Sequence, residues 1–181
     1  MKLIVTDSRL IECLLSDKPY FGVAMRALQG LPKRHAYIQA TVELLSKENH
    51  TGPVEILEVG SWAGGTAITW AKAVQKYFGG GQVLCVDHWE PYFDTNINSD
   101  HVYKQMNEAA INKSIYGLFL HNVRTSGVNG VISHIVGNSR NVLPTLKKRN
   151  FSIVYLDASH EFSDVEKDIR LSMDLVRDGG I

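Results

Sequence analysis

Val54-Glu55-Ile56-Leu57-Glu58-Val59-Gly60-Ser61-Trp62-Ala63-Gly64-Gly65-Thr66 runs from a mostly apolar stretch through a glycine-rich turn into a segment that reads as a helix from Ala67 to Phe78. Val54, Ile56, Leu57 and Val59 suit a short strand covered on both faces. Gly79-Gly80-Gly81 supplies the helix stop. Three further apolar runs, Val83 to Asp87, Val131 to Val136 and Phe151 to Leu156, read as buried strands. Each ends in a polar or glycine-rich turn. The pattern predicts a doubly wound, mainly parallel α/β sheet, in which small charged ligands bind beyond the carboxyl ends of the strands.

Spacing within the turn separates the ligand classes. A dinucleotide fingerprint, G-x-G-x-x-G, needs a bare second glycine so that the backbone can approach a pyrophosphate; counted from Gly60 that place holds Trp62. A phosphate loop, G-x-x-x-x-G-K-[ST], needs lysine after its last glycine, and Thr66 stands there. What remains is E-V-G-x-x-x-G-G, with Glu58 two places before Gly60. This resembles the first motif of class I S-adenosylmethionine-dependent methyltransferases. The resemblance implies that Glu58 meets the cationic amino group of the cofactor. Gly60, Gly64 and Gly65 let the backbone approach its methionine part, with Ser61 and Thr66 completing the turn. Asp87 ends the second strand about 20 residues beyond the glycine turn, where a carboxylate accepts hydrogen bonds from ribose hydroxyls, and His88 lies beside it. A turn-capping role is the alternative for Asp87. Gly137-Asn138-Ser139 follows the third strand as a small polar turn able to contact the adenine edge, although many methyltransferases carry an acid where Asn138 stands.

The fourth strand delivers Asp157 to the same edge, within Tyr155-Leu156-Asp157-Ala158-Ser159-His160-Glu161-Phe162. This resembles the Y-[IL]-D-[GA]-x-H-x-[YF] signature of a subfamily that includes macrolide-sugar and other natural-product O-methyltransferases, and the resemblance covers about residues 54 to 181. In metal-dependent relatives the acid matching Asp157 helps hold a magnesium ion near the acceptor hydroxyl. The resemblance therefore implies catalytic roles for Asp157, as base or Mg²⁺ ligand, and for His160, as base or ligand. The plainer alternatives stay open: a strand-end Asp often serves a helix N-terminus, and a histidine three residues later can simply orient the loop. The remaining histidines, at 35, 50, 88, 101, 121 and 134, show no zinc-ligand spacing.

The 181 residues suffice for one domain burying roughly 70% of its unfolded surface. Nineteen basic and nineteen acidic side chains cancel, so no electrostatic footprint for nucleic acid or an anionic membrane exists, and a small-molecule acceptor fits better. Cys13 and Cys85, both in apolar contexts, offer no disulfide framework and read as small core residues of a reducing compartment. The run Leu3-Ile4-Val5 is too short for a signal-peptide core, and no stretch approaches the ~20 apolar residues of a membrane span, so a cytoplasmic protein is expected.

Residues 1 to 52 read as a helical cap, with Ile38, Val42 and Leu45 on one face of a helix that starts after Pro32 and fades between Asn49 and Gly52. In relatives such a preamble covers the cofactor or builds a homo-oligomer; simple packing on the sheet is the alternative. The crossover from His88 to Gly130 opens on the aromatic-rich Trp89-Glu90-Pro91-Tyr92-Phe93-Asp94, followed by a helix expected from about Val102 to Leu120. Phe119 to Val123 again resembles the subfamily, in which that loop shapes the adenine and acceptor pockets. Ser163 and Glu166 read as a capping box for a last helix whose inner stripe is Val165, Ile169, Ser172 or Met173, and Val176, stopped by Gly179. Gly180-Ile181 then stands where the fifth strand of the family opens, so the sequence reads as ending inside a Rossmann-like methyltransferase domain, residues 53 to 181. The expected activity is S-adenosylmethionine-dependent O-methylation of a small or sugar-bearing molecule. The rivals are a non-catalytic S-adenosylmethionine-binding module and, disfavoured by Trp62, a nicotinamide oxidoreductase.

Overall fold

The computed structural model describes residues 7–28, 30–48, 53–96, 100–146 and 150–181. In chain order its regular elements are α1 (Ser8–Leu15), α2 (Pro32–Lys47), β1 (Glu55–Val59), α3 (Gly65–Phe78), β2 (Gln82–Asp87), α4 (His101–Ala110), α5 (Ser114–Thr125), β3 (Ile132–Val136), α6 (Ser139–Val142), β4 (Ile153–Leu156) and α7 (Phe162–Ser172). Two compact units result, one comprising Met1–Gln29, Trp62–Gly65 and Trp89–Gly127, the other Gly30–Ser61, Thr66–His88 and Val128–Ile181. The run Leu3–Val5 and the expected fading of the cap between Asn49 and Gly52 lie outside the described residues. Among the described residues no helix is long and apolar enough to cross a membrane.

The second unit holds one parallel sheet, ordered β3-β2-β1-β4. Alternation along the strands divides it into two faces. Leu57, Val59, Leu84 and Val86 point to one side and pack with Val142, Leu143, Leu146, Phe151 and Leu175. Ile56, Glu58, Val83 and Cys85, all buried, belong to the other. There α3 sets Trp70 5.6 Å from the Tyr155 ring, edge to face. Helix α2 is tied to α3 by His35 Nδ1 and Thr69 Oγ1, 2.7 Å apart, and it buries Ile38, Val42 and Leu45 as its spacing predicts. Coverage on both faces explains why β1 and β2 read as mostly apolar runs, whereas the edge strand β3 leaves Ser133, His134 and Val136 exposed.

Beside β4 the chain returns in the same direction. Phe151 bridges Val176 in parallel, Ile181 N–H donates to Ser152 C=O at 3.0 Å, and Val154 N–H donates to Ile181 C=O at 2.8 Å. Residues 176–181 thus pair with β4 where a fifth strand is expected to open.

Three expectations are corrected. The single helix from Val102 to Leu120 is two, α4 and α5, separated by a 3-10 turn at Ile111–Lys113 in which Asn112 and Lys113 both take φ 56°. Asn tolerates that left-handed backbone better than most residues, and no glycine or proline announces the break. Phe119 to Val123 is not a loop but the middle of α5. There Ile115, Leu118, Phe119, Asn122 and Val123 form the buried helical stripe. Finally, α7 begins at Phe162, so Ser163 already lies inside it. The N-cap is Glu161 with no side-chain cap, while Glu166 pairs instead with Arg170 at 2.9 Å. Its inner face carries Asp168 and Ser172; Ile169 and Met173 are exposed. The Ser139 hydroxyl donates to Asp168 Oδ1 at 2.7 Å, and this partner turns a carboxylate inward about 100° around the helix from Ile169. A 3-10 turn at Met173–Leu175 then leaves Val176 extended, outside any helical stripe.

Candidate active site

Parallel pairing in register aligns the strand ends. Val59 lies opposite Val86 and Leu156, and Asp87 opposite Val136, so Gly60, Asp87, Gly137 and Asp157 emerge along one edge of the sheet. Backbone bonds join these exits: Gly60 N–H to Val86 C=O at 2.9 Å, Asp157 N–H to Val59 C=O at 2.8 Å, and Gly137 N–H to Asp87 C=O at 2.9 Å. Gly60 has φ +92°, and a Cβ there would stand 2.5 Å from the Asp157 carbonyl oxygen and 2.6 Å from Ala158 Cα. Only glycine meets both demands.

Glu58 is fully buried at the end of β1. Its Oε2 accepts from Ser61 Oγ at 2.8 Å and from Cys85 Sγ at 3.8 Å, while Oε1 has no hydrogen-bond partner, and neither has the buried Thr66 Oγ1. Burial pushes the carboxyl up to about 7; the Thr66 hydroxyl, near the carboxyl but outside hydrogen-bond geometry, and the Ser61 hydroxyl oppose the shift, and the charges of Asp157 and Asp87 reinforce it. A buried carboxylate with one unsatisfied oxygen and two further acids near it is electrostatically short of a cation. An ammonium group fits that need, so these residues suit the methionine end of the expected cofactor.

Asp157 has an engagement that the sequence did not announce. Arg34 Nη1 donates to its Oδ2 at 2.5 Å; the aspartate side chain is 13% exposed and the arginine 38%. The Tyr155 hydroxyl also lies near enough to act on its carboxyl. Burial raises the Asp157 carboxyl above its ordinary range; the Arg34 charge, the His160 charge and the Tyr155 hydroxyl pull it down. Burial and the Asp157 charge likewise push the Tyr155 phenol up to about 12, so it stays a donor at neutral pH. His160 is exposed, two residues before α7. Among the described residues no group of three or more His, Cys, Asp or Glu side chains is placed to hold a metal ion. With Asp157 already paired to a guanidinium, the donor set does not fit Mg²⁺.

The other expected site residues are placed as follows. Asp87 and His88 are half-buried at the end of β2. Asn138 caps α6, its Oδ1 accepting from Arg140 N–H at 3.0 Å, and the Ser139 hydroxyl goes to Asp168. Both side chains therefore have structural partners, and the backbone around Gly137 is what the turn offers a ligand. Gly64, with φ +84°, and Gly65 belong with Trp62 to the first unit. The Trp62 indole is buried there, its Nε1 donating to the carbonyls of Met25 and Arg26 at 3.2 and 3.1 Å, and Trp89 Nε1 donates to its carbonyl at 2.7 Å.

A family described as a methyltransferase domain matches residues 57–181. No curated protein sequence matches the chain. Solved structures similar to it include an O-methyltransferase from Streptomyces achromogenes involved in tomaymycin synthesis, in complex with S-adenosylmethionine. It is 19% identical, with a TM-score of 0.58, over 97% of this chain and 63% of that one. An S-adenosylmethionine-dependent methyltransferase from Agrobacterium tumefaciens is 11% identical with a TM-score of 0.55, over 82% of this chain and 41% of its own. A Podospora anserina methyltransferase bound to S-adenosylhomocysteine is 14% identical with a TM-score of 0.52, over 99% of this chain and 69% of its own. The chain thus spans less than two thirds of the length of the first two, and at these identities the likeness establishes the fold.

Proposed function

We propose, since this chain belongs to the methyltransferase-domain family, that it binds S-adenosylmethionine and transfers the methyl group to a hydroxyl oxygen of a small or sugar-bearing molecule in the cytoplasm. The observation that carries the reading is the buried Glu58 with its unpartnered oxygen at the end of β1, beside a glycine that admits no Cβ. Glu58 would hold the cofactor's ammonium, Asp87 its ribose hydroxyls and the Gly137 backbone its adenine. The sulfonium of the bound cofactor would supply an electrophilic methyl group for the acceptor oxygen, with the thioether S-adenosylhomocysteine as leaving group. Asp157 orients the acceptor hydroxyl and receives its proton once Arg34 releases or shares the carboxylate, and His160, exposed nearby in sequence, is the second candidate for that proton. Two free cysteines, one of them buried, agree with a reducing compartment.

The Arg34 contact also supports a second reading, a binding module without turnover, because an ion-paired carboxylate is a poor base. Calorimetry with S-adenosylhomocysteine tests the common part: Asp87→Ala should weaken binding by about 1–3 kcal/mol. Transfer of labelled methyl to hydroxylated acceptors separates the two readings. Tight NADH binding, or an affinity for S-adenosylhomocysteine unchanged by Asp87→Ala, would contradict both.

A further inference from the structure

The ion pair between Arg34 and Asp157 is only half engaged. Nη1 donates to Oδ2 at 2.5 Å, one nitrogen to one oxygen. A guanidinium and a carboxylate that serve each other alone more often close a two-toothed fork. Among the described residues this is the one hydrogen bond that the Arg34 side chain makes, and the guanidinium stays partly exposed while the carboxylate is mostly covered.

Both partners are fixed by the elements that carry them. Pro32 opens α2, the Arg34 N–H donates to Leu31 C=O at 2.9 Å, and the contact of His35 with Thr69 fastens the same turn to α3. Gly30 leaves room for the arginine stem, since a Cβ there would stand 2.8 Å from Arg34 Cδ and 3.1 Å from Nε. On the other side the Asp157 N–H is bonded to Val59 C=O at 2.8 Å, at the edge where Gly60 and Asp87 also emerge. All of these residues belong to the second unit. A charge pair placed in this way needs little reorganisation when a polar group joins it.

A hydroxyl group both donates and accepts, and a half-engaged ion pair offers it one partner of each kind. We propose that Arg34 acts on the acceptor oxygen directly: its remaining N–H donors hold that oxygen while Asp157 takes the proton, so that the guanidinium does at this edge what a magnesium ion does in metal-dependent relatives. The acceptor O–H bond breaks and its proton passes to the carboxylate. The oxygen forms its bond to the methyl carbon as the carbon–sulfur electron pair returns to sulfur, which removes one positive and one negative charge and leaves the guanidinium unchanged. Being neutral overall, the pair suits an uncharged alcohol or phenol, and its resident cation opposes a divalent ion at the same carboxylate. The identification of this oxygen as the methyl acceptor rests on the function proposed above.

The test compares two ligands of the whole chain by calorimetry: S-adenosylhomocysteine, and sinefungin, an analogue with an ammonium group in place of the methyl sulfonium. Arg34 repels that ammonium and Asp157 attracts it. Arg34→Met should therefore shift the preference toward sinefungin by roughly tenfold, Asp157→Asn should shift it away by a similar factor, and Arg34→Lys should leave it near that of the parent. Arg34→Gln is a second neutral variant with the same readout should the Met protein not fold. A pair that only supports the fold would change both affinities together and leave their ratio unmoved. Electron paramagnetic resonance of the parent saturated with S-adenosylhomocysteine and titrated with Mn²⁺ should show no bound ion that Asp157→Asn removes. A ratio indifferent to loss of the Arg34 charge, or a Mn²⁺ site that depends on Asp157, overturns the proposal. Absence of S-adenosylhomocysteine binding by the parent sinks the cofactor reading, and this proposal with it.

Discussion

Arg34 Nη1 stands 2.5 Å from Asp157 Oδ2, joining the first turns of α2 to the carboxyl end of β4 across 123 positions of sequence. The contact governs what Asp157 can do, because the guanidinium opposes the rise that burial imposes on this carboxyl.

Replacement of Arg34 by Met should therefore act in a pH-dependent way. Asp157 is already raised above 3.8, and loss of the cation raises it further. An acid raised by folding stabilises at low pH and loses that contribution as pH rises through its folded value. Arg34→Met should cost about 1–2 kcal/mol near neutrality, discounted for the exposed arginine, and little where Asp157 is protonated in both proteins. Urea unfolding at acidic and neutral pH compares the two; equal losses at both would show that only packing was removed.

Glu58 gives a second linkage. Its carboxyl is raised from 4.5 to about 7, so its favourable contribution is complete below 4.5 and disappears as pH rises through 7. The ceiling is on the order of 3 kcal/mol. Glu58→Gln should equal the parent in stability at low pH and exceed it above neutrality, while losing affinity for S-adenosylhomocysteine. Calorimetry in buffers of different ionisation enthalpy should detect proton release when the parent binds near neutral pH; binding without proton release would argue against contact between Glu58 and the ammonium.

Gly60→Ala should be severely destabilising, by roughly 3 kcal/mol or more, since the new Cβ meets backbone atoms that cannot withdraw. Gly79→Ala is the control: its φ of +68° strains an alanine, but nothing lies within 4 Å of the new carbon, so about 1 kcal/mol is expected. Thermal melts of the pair measure the difference, and similar losses would mean that strain rather than the close approach to Asp157 dominates.

Asn122 holds the first unit together. Its side chain accepts from Tyr20 N–H at 2.8 Å and donates to the carbonyls of Tyr20 and Ala63 at 3.0 and 2.9 Å, all buried. Asn122→Ala should cost about 2–4 kcal/mol because three buried backbone groups lose their partner. Hydrogen exchange should show the Tyr20 amide losing protection first; unchanged protection would reveal water or another group taking over.

The four strands, their glycine and acid termini and α2 were legible in the sequence because each rests on local periodicity or on one residue at a strand end: Val54 to Val59 alternates with both faces covered, and Gly60 must be bare wherever two strand exits meet. The same holds for Glu58, Asp87 and Asp157, which strand length alone delivers to one edge. Local signals misled where tertiary contacts outweighed them. Asn112 and Lys113 break an apparently continuous helix, Ser163 is bypassed as a cap, and Asp168 rather than Ile169 faces inward because Ser139 offers it a hydrogen bond. The Arg34 contact had no sequence signal at all: an ion pair depends on where two distant elements are brought by packing, and nothing in the residues around either partner encodes the other. Periodicity thus determined the sheet and the edge at which its strand ends gather, while the charge state and freedom of the groups along that edge were decided only by the folded neighbours that bury and pair them.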